Sequence, residues 1–129
     1  MADITFTGNK TLKRINNEWC TKFPHLYLRF YDATGKVAGD WSVTHASIRA
    51  KKDAKELSTN AGLNVGTFEK RYEESFGVKI EIMHIRKHAT SEKAYRSLDE
   101  NNNMSLNEYD KQCAERTAVK VKEAHPEWF

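Results

Sequence analysis

Apolar residues recur along this chain in two long runs that share one rhythm. Leu12, Ile15, Trp19 and Phe23 fall at steps of three, four and four, and Val65, Phe68, Tyr72 and Phe76 repeat those steps. Residues so spaced stack along one stripe of an α-helix. Lys, Arg, Asn and Glu fill most of the remaining positions and keep the other faces in water. Each run then meets a breaker, Pro24 in the first and Gly77 in the second. Proline cannot continue a helix, and glycine supplies the left-handed residue that commonly ends one. Beyond the breaker the rhythm changes to two. Leu26, Leu28 and Phe30, then Val78, Ile80 and Ile82, mark strands with one buried face. The step from breaker to strand is one residue longer in the first run.

The flanking segments extend the parallel. Ile4 and Phe6 alternate with polar neighbours in a short strand that Gly8-Asn9 ends, and the first helix spans about Lys10 to Phe23. Asp32-Ala33-Thr34-Gly35 is turn chemistry, from which Asp40 to Val43 is expected to return as a hairpin arm. Thr44 heads a short helix through Ala46, Ile48 and Lys51. In the second half, Glu56 to Asn60 reads as a strand, and Asn64 is placed to accept from the first amides of the central helix. The strand Val78 to Ile85 passes through a polar link, His88 to Glu92, to a return arm at Ala94 to Leu98. Ser105-Leu106-Asn107-Glu108 is a capping box, opening a last helix with Leu106, Tyr109 and Cys113 inward and Pro126 as its latest end.

Both halves therefore read strand, helix, strand, strand, helix. The expectation is one α+β domain over residues 1–129, built from a duplicated βαββα unit with repeats at 3–53 and 55–124. Its helices pack on a mixed or antiparallel sheet. The alternative is a ferredoxin-like βαββαβ sheet with an extra C-terminal helix.

Composition narrows the function more than the fold. The hydrophobic share is 39%, but three Trp, five Tyr and six Phe bring large areas to a core. A net charge of +3 is too mild to argue for nucleic acid by itself. Cys20 and Cys113 are too sparse for a disulfide framework and are expected as free thiols. The opening residues have no basic segment followed by an apolar run, and no apolar stretch approaches the ~20 residues of a membrane span. A soluble, cytoplasmic protein without a membrane partner is the expectation.

Candidate chemistry is sparse. Asp99, Asn101, Asn103 and Asp110 hold positions of an EF-hand-like calcium loop. Met104 replaces the glycine of the sharp turn, and Asp110 is shorter than the usual closing Glu, so a polar loop feeding the capping box explains the same residues. The histidines His25, His45, His84, His88 and His125 have no metal-ligand spacing. Nucleophile and phosphate-loop motifs are missing, so neither an enzyme nor a cofactor is expected.

Two binding surfaces remain. Tyr27, Arg29 and Tyr31 project from one strand face, where rings and a guanidinium can stack single-stranded nucleic acid. The competing role for those tyrosines is to cover a helix or to sit in cross-strand pairs. Trp41, Trp128 and Phe129 are large rings outside the two helical stripes, and such residues commonly anchor interfaces. The reading is a non-catalytic protein-interaction or adaptor module whose partner is another protein or a second copy. Single-stranded nucleic-acid binding is its alternative.

Overall fold

Both predicted stripes form helices, and each buries the face its spacing defines. The first helix, α1 (Leu12–Lys22), buries Leu12, Ile15, Asn16, Trp19 and Cys20. Its start is two residues later than expected, because Thr11 holds extended backbone and its side chain accepts from Arg14 N. The central helix, α3 (Val65–Phe76), buries Val65, Phe68, Tyr72 and Phe76, and Gly77 ends it at φ 73°. Asn64 stands at its N-cap but makes no side-chain cap bond, contrary to expectation. Its backbone takes over, bridging to Ser105. The computed structural model describes residues 4–51, 57–59, 62–87, 92–96, 104–115 and 119–128, the side chains of 86–87 and 92–96 excepted.

Among the described residues five strands form two antiparallel sheets, so the protein is α+β. In the first, β1 (Ile4–Phe6) pairs with β3 (Leu57–Thr59). In the second, β2 (Tyr27–Phe30), β4 (Ile80–Lys87) and β5 (Glu92–Arg96) lie in that order. The strands therefore do not close into the single sheet of the ferredoxin-like alternative. Short helices follow each hairpin region, α2 (His45–Ile48) in the first half and α4 (Leu106–Glu115) in the second, and α5 (Val121–Ala124) with a 3-10 turn Pro126–Trp128 ends the chain. The last expected helix is thus two, because Val119 and Lys120 are not helical and Lys120 holds extended backbone at the start of α5. Among the described residues no helix is long and apolar enough to cross a membrane.

Register relates the halves. Stripe residues of α3 and strand residues of β3 stand 53 positions after those of α1 and β1, as Ser58 does after Thr5. Counterparts face each other. Thr5 pairs with Ser58, and Ile4 and Phe6 pair crosswise with Thr59 and Leu57. In the second sheet Arg29 pairs with Glu81, flanked by Leu28↔Ile82 and Phe30↔Ile80. Helix starts are tied alike. Leu12 N donates to Val43 O and His45 N to Lys10 O, at 3.0 and 2.8 Å; Val65 N donates to Met104 O and Leu106 N to Leu63 O, at 3.0 and 2.9 Å. Residue for residue, both halves lock their second helix onto the N-terminus of their first.

One core lies between the helices and the sheets. Trp19 and Tyr72, counterparts on the two long helices, are both fully buried, with Phe68 5.2 Å from Trp19 and 6.2 Å from Tyr72 between ring centroids. Leu28, Phe30, Ile80 and Ile82 of the sheet, and Leu26 just before β2, belong to the same buried cluster. Cys20 and Cys113 are buried free thiols. The Cys20 thiol donates to Leu26 O at 3.2 Å, and burial pushes its pKa up to about 12, so it is a structural donor rather than a nucleophile.

Candidate functional site

The site follows from how β2 loses its neighbour. Alternation turns Leu28 and Phe30 to the core and Tyr27, Arg29 and Tyr31 to the other face. After Tyr31 the Asp32 carboxylate gathers Thr34 N, Thr34 Oγ1 and Lys36 N, and Gly35 takes φ 84° to close the turn. The chain therefore returns at Val37, not at Asp40 to Val43 as the sequence suggested. Among the described residues it makes one bridge, Tyr31↔Val37, closed by Asp32 N to Lys36 O and Ala38 N to Phe30 O, each 2.8 Å. Then it leaves. Asp40 caps Ser42, and Trp41 O and Val43 O accept from Lys13 N and Leu12 N, which draws this segment to the start of α1. Below the bridge, the edge of β2 is finished by α1, whose Asn16 Oδ1 accepts from Leu28 N at 3.2 Å.

A groove of about 300 Å³ opens where the arm diverges, lined by β2, by Val37 to Gly39 and by Trp41 and Trp128. Trp128 comes from the C-terminal segment, which Val119 N and Val121 N fasten to Ile85 O and Pro24 O. Its ring lies 5.0 Å from Tyr27 and 5.5 Å from Trp41, and His125 stacks on it at 3.9 Å. Three aromatic side chains from distant parts of the chain thus share one wall. The carboxylate of Glu127 accepts from His125 Nδ1 at 2.8 Å, and that hydrogen bond holds its pKa below the ordinary range. Arg29 is the one charged residue among the described residues of the lining. Burial lowers its pKa, but the hydroxyls of Tyr31 and Tyr27 beside it outweigh this and raise it, so it is a permanent cation. Tyr31 donates in turn to Glu81 on β4, and burial followed by that bond raises the tyrosine pKa.

Of the residues singled out from sequence, Tyr27, Arg29, Trp41 and Trp128 are brought together. Tyr31 lies just beyond them, bonded to Glu81, and Phe129 lies outside the described residues. Tyr27 is only 6% exposed. Its ring is covered by Trp128, a contact that alternation along β2 cannot reveal. Of the calcium candidates, Asp99, Asn101 and Asn103 lie outside the described residues, and Asp110 accepts from His25 N at 2.8 Å. Among the described residues no cluster of His, Cys, Asp and Glu is placed to hold a metal ion. The capping box is present in part, with Glu108 N donating to Ser105 Oγ at 3.2 Å.

Other ionisable groups converge in the core. Arg49 donates to His45 Nδ1 at 2.9 Å, which leaves Nε2–H of His45 to donate to the Tyr72 hydroxyl at 2.7 Å. Burial, then the Arg49 charge, pushes the His45 pKa down to about 3, and burial raises that of Tyr72. The Arg49 guanidinium lies 4.4 Å from the centre of the Phe76 ring. With Arg49 3% exposed and the other two sealed, the cluster braces α2 against α3 out of reach of a substrate. His84 Nδ1 and the Tyr109 hydroxyl, 2.9 Å apart, form a similar buried pair. The one sequence signal for the first cluster was the four-residue spacing of His45 and Arg49. For Val37 and Gly39 there was none beyond the neighbouring turn. No protein-family model, curated protein or solved structure matches this chain.

Proposed function

We propose that this is a non-catalytic protein-binding module whose contact surface is the groove beside β2. The convergence of Trp41 and Trp128 on one open cleft, with Tyr27 packed behind Trp128, carries the reading. Aromatic rings anchored on a rigid scaffold lose little freedom on binding and dominate interface energetics. Val37, 52% exposed on the rim, adds apolar surface where water would otherwise be bound. The placement of the His45, Arg49 and Tyr72 groups in the sealed core also favours binding over catalysis. Stacking of single-stranded nucleic acid is the less favoured reading, because Tyr27 already spends its ring on Trp128. Recovery of partners from native extract, with and without nuclease, tests the choice. A protein retained through nuclease treatment is the expected result, and recovery that nuclease abolishes overturns it.

We further infer that residues 3–53 and 55–124 are copies of one βαββα unit inside one domain. The constant offset of α1 and α3, the self-paired counterparts Thr5 and Ser58, and the matching ties at both helix starts support that history.

A further inference from the structure

The arm that walls the groove ends as an unfinished strand. At its single bridge Asp32 N donates to Lys36 O and Ala38 N to Phe30 O. That pattern turns the N–H and C=O of Val37 away from β2. Among the described residues neither Val37 nor Gly39 gives its backbone groups a hydrogen-bond partner. An unpaired edge with an exposed apolar residue is a template for another strand, and proteins ordinarily blunt it with charge, proline or a cover. None of these guards is built into Val37-Ala38-Gly39 itself. A side chain added at Gly39 would meet no atom within 4 Å, so the space over that residue is open.

Chemistry of the lining selects the occupant. Its rings and aliphatic groups suit a large apolar side chain, and Arg29 is the single charge among them. A guanidinium in a mostly apolar cleft favours a carboxylate, which it binds through charge-assisted hydrogen bonds. The geometry points to strand addition: an extended, acidic segment of a partner protein pairs with the edge at Val37 and Gly39. One large apolar side chain packs on the surface that Trp41 and Trp128 form together, and a neighbouring Asp or Glu meets Arg29. This assignment rests on the protein-binding reading above and adds the site, the backbone mode and the charge of the ligand.

A random peptide library displayed on phage, panned against the full chain, tests it. Peptides pairing an acidic residue with a nearby aromatic or large aliphatic one should be enriched. Against a synthetic copy of one such peptide, Arg29→Gln should weaken binding about tenfold, the scale of a lost charged hydrogen bond. Gly39→Leu, which fills the opening, should abolish binding. Val37→Asp, at an exposed position that repels an acidic ligand, gives an independent loss if the leucine variant folds poorly. Circular dichroism and urea unfolding verify each fold. No enrichment, enrichment of basic peptides, or equal binding by all variants overturns the assignment. So does a parent dimer in sedimentation that Gly39→Leu disperses, which would make a second copy the occupant. If a nuclease-resistant partner from extract still binds Gly39→Leu, this docking site fails while the binding-module reading stands.

Discussion

The two halves of the chain share their long helices and part company at their hairpins. In the second half β4 and β5 pair over five residues, from Met83↔Arg96 to Lys87↔Glu92. In the first, the arm after β2 makes the single bridge Tyr31↔Val37 before α1 draws it away. The core is indifferent to this, because Leu28 and Phe30 are held from β4 and from the helices. Its consequence is on the outer face, where the early departure leaves the aromatic groove and an open edge. A second contrast lies inside. The residue following the bridge at each second-helix start is His45 in the first half and Leu106 in the second. Counterparts in backbone thus differ in chemistry, and the polar member recruits Arg49 and Tyr72 into the core.

The largest expected effect probes what the halves share. Phe23 and Phe76 end the two stripes, both fully buried. Replacing either by Ala should cost about 3–5 kcal/mol in urea unfolding, through lost burial and a residual cavity. A full loss at one position and almost none at the other would break the equivalence of α1 and α3.

Next is the polar member of the second contrast. The His45 ring is held to about 3 in the folded protein against an ordinary 6.5. Between those values the unfolded chain takes up a proton that the folded chain refuses. Stability from a neutral His45 is therefore complete above the unfolded pKa and declines as pH falls toward the folded one. The decline is on the order of a few kcal/mol. His45→Gln lacks it, so the stability gap between parent and variant should narrow from pH 7 to pH 4 in unfolding curves. A gap that stays constant or widens would mean that His45 is protonated in the core.

Two glycines sharpen the comparison further. Gly35 and Gly77 both hold positive φ, at 84° and 73°. An Ala at Gly35 meets only the left-handed strain, about 1 kcal/mol, since nothing lies within 4 Å of its Cβ. An Ala at Gly77 also comes 3.0 Å from Ala50 Cβ and should cost about 2 kcal/mol or more. Equal melting temperatures for the two variants would contradict the packing of α2 against the end of α3. The smallest effect belongs to the open edge. Val37→Asp and Gly39→Leu should leave stability within about 0.5 kcal/mol of the parent, as surface changes do. A larger loss in the same unfolding measurement would place that edge inside the core.

Much of the fold was legible in sequence because burial of a helix face needs only a period. Leu12 to Phe23 and Val65 to Phe76 carried that period without interruption, and the breakers and alternating strands followed. Ends of elements were less legible, since caps are made by whichever group arrives. Thr11 caps with its side chain, whereas Asn64, equally suited by type, bridges through its backbone. The return after β2 was misplaced because Asp32 collects three donors and closes a shorter turn than Asp40 to Val43 would require.

Of the candidate site, the residue types were readable and the assembly was not. Alternation along β2 determined by itself that Tyr27 and Arg29 share a face, because a pleated strand has no other choice. The size of Trp41 and Trp128 marked them as anchors without saying of what. Only the tertiary structure decided that Trp128 closes over Tyr27, a contact made across most of the chain by a segment tied to Pro24 and Ile85. It alone decided that Arg29 faces a cleft and that, among the described residues, the arm meets β2 at the single bridge of Val37. Local periodicity records which side of an element is buried. What lies opposite is set by packing between elements far apart in the chain, and the groove is a product of that packing.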